Sequence, residues 1–452
     1  MTPTRSDFPR DFHFGAATSA YQVEGAVYED GRGASMWDSF AHHSGCIADA
    51  STGDVACDHY HRMEDDVALM QRLGHTAYRF SVAWPRVLPQ GRGEVNPRGL
   101  DFYDRLVDLL LEQGIAPYAT LYHWDLPLAL HDQGGWLQRD TCHAFAEFAG
   151  VVARRLGDRV HSYATLNEPR CSATVGYLEG RHAPGLMDRR KALLAAHHLL
   201  LAHGLALPVL RSFTTTAKIG VVLDVKPYYP ADKLAATAQA VRRADGVFNR
   251  WFLDPLLLGH YPQDIWEAEG ACVPQLSATA LEHDLRTIAQ PIDSLGLNYY
   301  TRGVVVHEPT RPFPHVREVP VEGAQHTTMG WEIYPQGLYD MLVRIARDYP
   351  ALDLFIAENG AALRDTVANG AVHDPVRVQY LQSHLGAVAR ARQDGVPLSA
   401  YIAWSLLDNF EWGKGYTQRF GLCHVDYATQ VRTPKASALW LRDFITQQPA
   451  AA

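Results

Sequence analysis

The sequence predicts an α/β fold, and within that class a (β/α)8 barrel of TIM type, one domain with long loops after its strands. Three observations predict it. Eight short apolar, strand-like runs recur along the chain, with longer helical patterns between them. The runs are apolar almost throughout rather than alternating, as strands covered on both faces require, and a parallel sheet wrapped by helices gives that cover. Most of them finish in polar residues, and barrels of this kind build their sites at the C-terminal ends of the strands.

Taken in order, the first run (12–17) is followed by Gln22, and the second (77–83) holds Arg79 inside an apolar stretch. The third (115–121) leads to His123 and Trp124, and the fourth (161–166) leads to Asn167 and Glu168. The fifth covers 218–224; the sixth (292–297) is followed by Asn298 and Tyr300. The seventh (353–357) is followed by Glu358, and the eighth (398–404) ends in Trp404, with Glu411 and Trp412 in the loop beyond. Helical patterns cover 102–113, 142–156, 190–212, 336–348 and 375–394. The rival architecture, an open doubly wound sheet, calls for a glycine-rich phosphate loop after an early strand, and neither G-x-G-x-x-G nor G-x-x-x-x-G-K occurs. Packing alone does not explain so many polar strand ends, because each one costs desolvation unless it is paired. Long Gly-, Pro- and aromatic-bearing stretches at 25–58, 177–188 and 301–329 are expected over one end of the barrel, shaping a pocket entrance.

No linker or composition break divides the 452 residues, so one catalytic barrel domain is expected over 1–452, with an ordered core of about 8–444. Hydrophobic residues make up 47% and charged residues 20%, and the net charge is 41 − 50 = −9. That balance, without a Lys/Arg run, argues against a nucleic-acid or anionic-membrane partner. The apolar runs read as too short to span a bilayer. Cys46, Cys57, Cys142, Cys171, Cys272 and Cys423 are scattered with no C-x-x-C pair, which argues against a disulfide framework or zinc ribbon and for a reducing compartment. The N-terminus lacks an apolar h-region, so a cytoplasmic location is the expectation. His59 and His61 open an acidic helical stretch without a further ligand and read as structural. No metal and no organic cofactor is implied.

The chemistry sits in two glutamates. Glu168 closes one apolar run and is followed by Pro169; Glu358 closes another, followed by Asn359 and Gly360. Carboxylates so placed lie at a mouth, and a pair of them suggests cleavage of a glycosidic bond. Arg79, inside a strand, must be paired, and Glu358 is the expected partner, with another acid as the alternative. His123 alone reads as an interior histidine, and Asn359 as a turn residue. Near the C-terminus, Trp404, Phe410, Trp412, Tyr416 and Phe420 mix with Asp408, Asn409 and Glu411. Sugars call for this mixture: aromatic faces for C–H surfaces, carboxylates and amides for hydroxyls.

Together these residues resemble family 1 of the glycoside hydrolases, in its bacterial β-glucosidase form, from Phe8 to about Phe444. The motifs are Phe-Gly-Ala-Ala-Thr-Ser-Ala-Tyr-Gln-Val-Glu-Gly (14–25), Tyr-Arg-Phe-Ser-Val-Ala-Trp-Pro-Arg (78–86), His-Trp-Asp-Leu-Pro (123–127), Thr-Leu-Asn-Glu-Pro (165–169), Leu-Asn-Tyr-Tyr (297–300), Glu-Asn-Gly (358–360) and Trp-Ser-Leu-Leu-Asp-Asn-Phe-Glu-Trp (404–412). The resemblance implies Glu168 as acid/base and Glu358 as nucleophile. Arg79, Tyr300 and Asn298 would support the nucleophile. Gln22, His123, Asn167, Glu411 and Trp412 would hold the non-reducing sugar, and Trp404 would stack on it. Cys171 and Trp331 would line the leaving-group side. The family usually has Thr where this chain has Ala357; strand alternation predicts that Ala357 points away from the side Glu358 faces. The implied activity is a retaining β-glucosidase acting on small β-glycosides such as cellobiose and aryl or alkyl glucosides, with a place in cellulose degradation. The two carboxyl groups would then lie about 5–5.5 Å apart. Alternatives are a β-galactosidase, β-fucosidase or β-mannosidase, a broad β-glycosidase that transglycosylates, and a sugar-binding barrel without catalysis. Both carboxylates are present, which argues against the last. Homo-oligomerisation is left open.

Overall fold

The structure is a computed structural model that describes residues 3–447, so residues 1–2 and 448–452 of the expected domain lie outside the described residues. Eight strands form the barrel: β1 (His13–Ala17), β2 (Ala77–Ser81), β3 (Ala116–Tyr122), β4 (Ser162–Asn167), β5 (Lys218–Asp224), β6 (Ser294–Asn298), β7 (Asp353–Asn359) and β8 (Leu398–Trp404). Each pairs in parallel with the next, and β8 pairs with β1, so the sheet closes without an edge. The predicted runs correspond one to one with these strands and differ by a few residues at the ends. The helix expected at 102–113 begins earlier, as Pro97–Glu112, because Pro97 is already suited to a first turn.

The barrel interior alternates bulk and absence of bulk. Tyr118 and Phe355 pack across it at a tilt, with ring centroids 5.7 Å apart. Gly296 makes room for them, since a Cβ there would come within 2.6 Å of the Phe355 ring. The helices Pro97–Glu112, Asp140–Leu156, Arg189–Arg211, Pro335–Asp348 and Pro375–Gln393 lie between strands and cover the outside. The 23-residue helix Arg189–Arg211 is long and apolar enough to cross a membrane, contrary to the sequence expectation. Here its apolar surface is largely buried, and it packs against Asp140–Leu156 and Ala278–Ile288. Its buried His197 pairs with Asp284, and its buried His203 with the Thr165 hydroxyl of β4.

Two register shifts set the active end. In β4, Ala164 pairs with Gly220, and the next pair is Asn167 with Val222, so β4 carries one residue more than β5. In β7, Ile356 pairs with Leu297, and the next pair is Glu358 with Asn298, which leaves Ala357 unmatched. These bulges break the two-residue alternation and re-aim the side chains beyond them. The expectation for Ala357 is overturned by this: Ala357 packs in the same interior cluster as Phe355, and Glu358 also turns to the barrel mouth.

Candidate active site

Glu358 is held from two sides. Arg79 donates from Nη1 to its Oε1 at 2.6 Å, and the Tyr300 hydroxyl donates to its Oε2 at 2.6 Å. Arg79 comes from the middle of β2 and is itself fixed by Thr120 Oγ1 and by Asn167 Oδ1. The expected pairing of Arg79 with Glu358 is therefore present, in place of the alternative with another acid.

Glu168 stands across from it, one residue beyond β4. Its backbone is left-handed, at φ 45°, a conformation uncommon outside glycine. The amide nitrogen is anchored to Val222 O at 2.8 Å, and the carbonyl accepts from Cys171 N at 2.9 Å. Trp124 and Trp412 are also left-handed and line the same cavity. Asn298 Nδ2 donates to Glu168 Oε1 at 2.6 Å and to Asn167 Oδ1 at 3.1 Å, which fixes the acid beside the amide that also holds Arg79.

Burial pushes the Glu168 carboxyl well above the usual range, and the negative charges of Asp224 and Glu358 push it further. Burial also raises Glu358; Arg79 and the Tyr300 hydroxyl offset part of that rise. The pair is thereby polarised. The direct cation and the phenol donor favour the proton leaving Glu358, and like charge favours it staying on Glu168.

Both acids open into one cavity of about 530 Å³, lined also by His123, Asn298, Tyr300, Trp404, Glu411 and Trp412. Four buried polar atoms of this lining have no protein partner: His123 Nδ1, His182 Nδ1, Asn298 Oδ1 and Glu411 Oε2. Unpartnered buried polar atoms are rare, and their convergence marks where hydroxyls of a ligand belong. The Asn167 amide is oriented by Arg79 and Asn298 donating to its oxygen, so its Nδ2 donates to His123 Nε2 at 3.1 Å. Burial, with Arg79 nearby, keeps His123 neutral, which leaves Nδ1–H as a donor into the cavity. Glu411 is pushed up to about 8 by burial and by the charge of Glu358. It therefore holds its proton more tightly than an ordinary carboxyl group does.

The expected sugar-holding residues divide into two layers. His123, Trp404, Glu411 and Trp412 line the cavity, whereas Gln22 and Asn167 are fully buried beneath it. The Gln22 amide donates to Asn409 Oδ1 and Phe410 O and accepts from Ser19 Oγ, which fixes the loop that carries Glu411. Asp408 and Asn409 do not reach the cavity: Asp408 is bound by Lys435, Arg419 and Gly421 N, and Asn409 by Ser405 and Leu407 O. Asn359 is tied to Tyr299 O, Tyr380 and Tyr401, more than a turn residue would need. Cys171 and Trp331 also line the cavity, Trp331 against Tyr300 at 5.1 Å between ring centroids.

Sequence reasoning missed Asp224 and Arg170. Asp224 ends β5 and bonds Arg170 Nε at 2.5 Å, beside Glu168 and Cys171. The sign was present, since Asp224 is a polar residue closing an apolar run like the others. Among the described residues Glu168, Cys171 and Asp224 form the one group of metal-ligand types whose donor atoms lie within 4.8 Å of one another, and Arg170 occupies the cationic role there. His59 is paired with Asp66, and His61 with Asp58 and Glu29 at the surface, in keeping with structural roles.

Comparison with known proteins agrees with this geometry. Residues 4–449 match the family model for glycosyl hydrolase family 1. Beta-glucosidase A of Acetivibrio thermocellus is 46% identical over 444 residues, covering 97% of this chain and 98% of the relative. A bifunctional beta-D-glucosidase/beta-D-fucosidase of Bifidobacterium breve is 47% identical over 465 residues, covering 98% and 99%. The family 1 β-glucosidase structure from Thermotoga maritima superposes with a TM-score of 0.95 at 43% identity, covering 98% of each chain. The same organism's family 1 glycoside hydrolase, complexed with a cyclophellitol analogue transition-state mimic, gives 0.94 at 44% identity, again covering 98% of each. With its closed barrel and two opposed glutamates, the chain belongs to glycosyl hydrolase family 1.

Proposed function

We propose that the protein is a retaining β-glucosidase that releases terminal non-reducing β-D-glucosyl units from small glycosides, cellobiose and aryl or alkyl glucosides among them. The observation that carries the reading is the polarised pair: Glu358 bound by Arg79 and Tyr300, with Glu168 facing it at a raised pKa. Glu358 attacks the anomeric carbon while Glu168 donates its proton to the departing oxygen, and a glycosyl-enzyme forms. Its formation removes the charge of Glu358, so the pKa of Glu168 falls. Glu168 then takes a proton from water, which attacks the same carbon, and configuration is retained.

His123 Nδ1–H, Glu411 and Asn298 Oδ1 offer the polar contacts for the sugar, and Trp404 and Trp412 the faces. A second reading, activity on β-D-fucosides as well, is favoured by the Bifidobacterium breve relative, a bifunctional beta-D-glucosidase/beta-D-fucosidase. The six unpaired cysteines support a cytoplasmic setting. Initial rates on a panel of aryl β-glycosides plus cellobiose test the reading. Glucosides should lead, with β-glucose as the first-formed product by NMR; a lead for another sugar, or α-glucose, would sink it.

A further inference from the structure

We infer that Asp224, gripped by Arg170, is a positioning residue that acts through Glu168 and keeps the acid in its proton-donating form for the first half of the reaction. The inference rests on the reading of Glu168 as acid/base and adds to it a residue with no contact of its own to the reacting atoms.

The placement follows from the barrel. The bulge in β4 brings Asn167 level with Val222, and Glu168 N bonds Val222 O. Asp224 lies two residues further along β5, on the same side as Val222, and is level with Asn298. The carboxylates of Glu168 and Asp224 and the Cys171 sulfur thus lie within 4.8 Å of one another. Arg170 Nε donates to Asp224 Oδ2 at 2.5 Å, Arg170 Nη2 donates to Cys171 Sγ at 3.2 Å, and the guanidinium lies 3.9 Å from the Phe248 ring centroid. That grip fixes Asp224 beside Glu168 while turning the cation toward Asp224.

The charged and titratable groups around Glu168 come from five places. Arg170 and Cys171 follow it in the chain, Asp224 comes from β5, Tyr300 follows β6, Glu358 comes from β7, and the neutral His123 follows β3. Tyr300 and Cys171 stay protonated, since burial raises both. Of the charges in the site, Asp224 and Glu358 favour the Glu168 proton and Arg170 opposes it, while Arg79 is bound to Glu358 and Asn167, and Glu411 bears on Glu358. Glu358 loses its charge on glycosylation, whereas Asp224 does not. Asp224 accordingly helps proton donation and hinders the base step, and the two halves of the cycle should answer its removal in opposite senses.

The test is the pH profile of kcat/KM on phenyl β-D-glucoside for the full chain and for Asp224→Asn, which can still accept from Arg170. The alkaline limb should move down by about one pH unit. Arg170→Gln, with Asp224 kept, should move it up. Dinitrophenyl β-D-glucoside, whose leaving group needs no proton, should show no such shift in Asp224→Asn, and its deglycosylation-limited kcat should hold to lower pH. Unmoved limbs, or shifts of both variants in one direction, overturn the inference; a purely structural role would lower the rates on both substrates alike. Hydrolysis of the dinitrophenyl substrate by Asp224→Asn keeps the glucosidase reading intact whichever way the limb moves, whereas its absence in the unaltered chain would sink that reading first.

Discussion

The guanidinium of Arg79 and the carboxylate of Glu358 form an ion pair at 2.6 Å in which neither residue is more than 3% exposed. Two buried charges are expensive to hold together, and apolar replacements of such pairs are often more stable. The pair is thus better explained by what it does than by stability. It leaves Glu358 an anion aimed into the cavity, and the Tyr300 hydroxyl completes the grip.

Tyr300→Phe removes a donor that stabilises the charged form of Glu358. The pKa of Glu358 should rise, so the acid limb of the kcat/KM profile should move to higher pH. The rate at the optimum should fall about 10- to 100-fold, the range for a hydrogen bond to a charged group. An acid limb at its original position would contradict the role given to Tyr300.

Glu358→Ala should lower kcat/KM by about four orders of magnitude or more. Azide should restore turnover and yield the inverted α-glucosyl azide, identifiable by NMR. Substantial activity without azide would remove Glu358 from the nucleophile's place.

Glu168→Ala should abolish the alkaline limb and discriminate by leaving group. Phenyl β-D-glucoside should lose about 10³-fold, while dinitrophenyl β-D-glucoside should lose far less in the glycosylation step. Rapid-mixing kinetics should then show a burst, because general-base help to water is missing. Equal losses for both substrates would refute the assignment.

Glu411 bears on phosphorylated sugars. The cations that line the cavity are already paired, Arg170 with Asp224, Arg181 with Glu179, Arg189 with Glu269 and Lys226 with Glu318. A sugar 6-phosphate of about −2 charge would meet Glu411 with no free cation to receive it. kcat/KM on a 6-phosphoglucoside should be about 100-fold or more below that on the glucoside. The gap should widen as pH rises through about 8, where Glu411 ionises.

Lys435 is fully buried between Asp365 and Asp408, with Arg377 on Asp365 and Arg419 on Asp408. This hub ties the segment just after β8, which leads to Glu411, to the C-terminal part of the chain. Lys435→Ala leaves two buried carboxylates short of a cation and should destabilise the fold by about 3–5 kcal/mol, read by denaturant unfolding. A change under about 1 kcal/mol would show that the remaining arginines suffice.

Residue order by itself determined the eight strands, the helices between them and the two acids. Apolar runs of strand length are legible because burial on both faces excludes polar residues, and Glu168 and Glu358 stand out at their ends. The tertiary structure decided which polar residues meet the cavity. Gln22, Asn167, Asp408 and Asn409 are polar like His123 and Glu411, yet serve beneath the floor or behind the loop. It also decided that Ala357 and Glu358 share a side, and that Asp224 stands beside Glu168. A side chain's direction at a bulge depends on the register of strands far apart in the chain, and its charge state on neighbours brought from several of them. Local periodicity contains neither quantity; closing the barrel creates both.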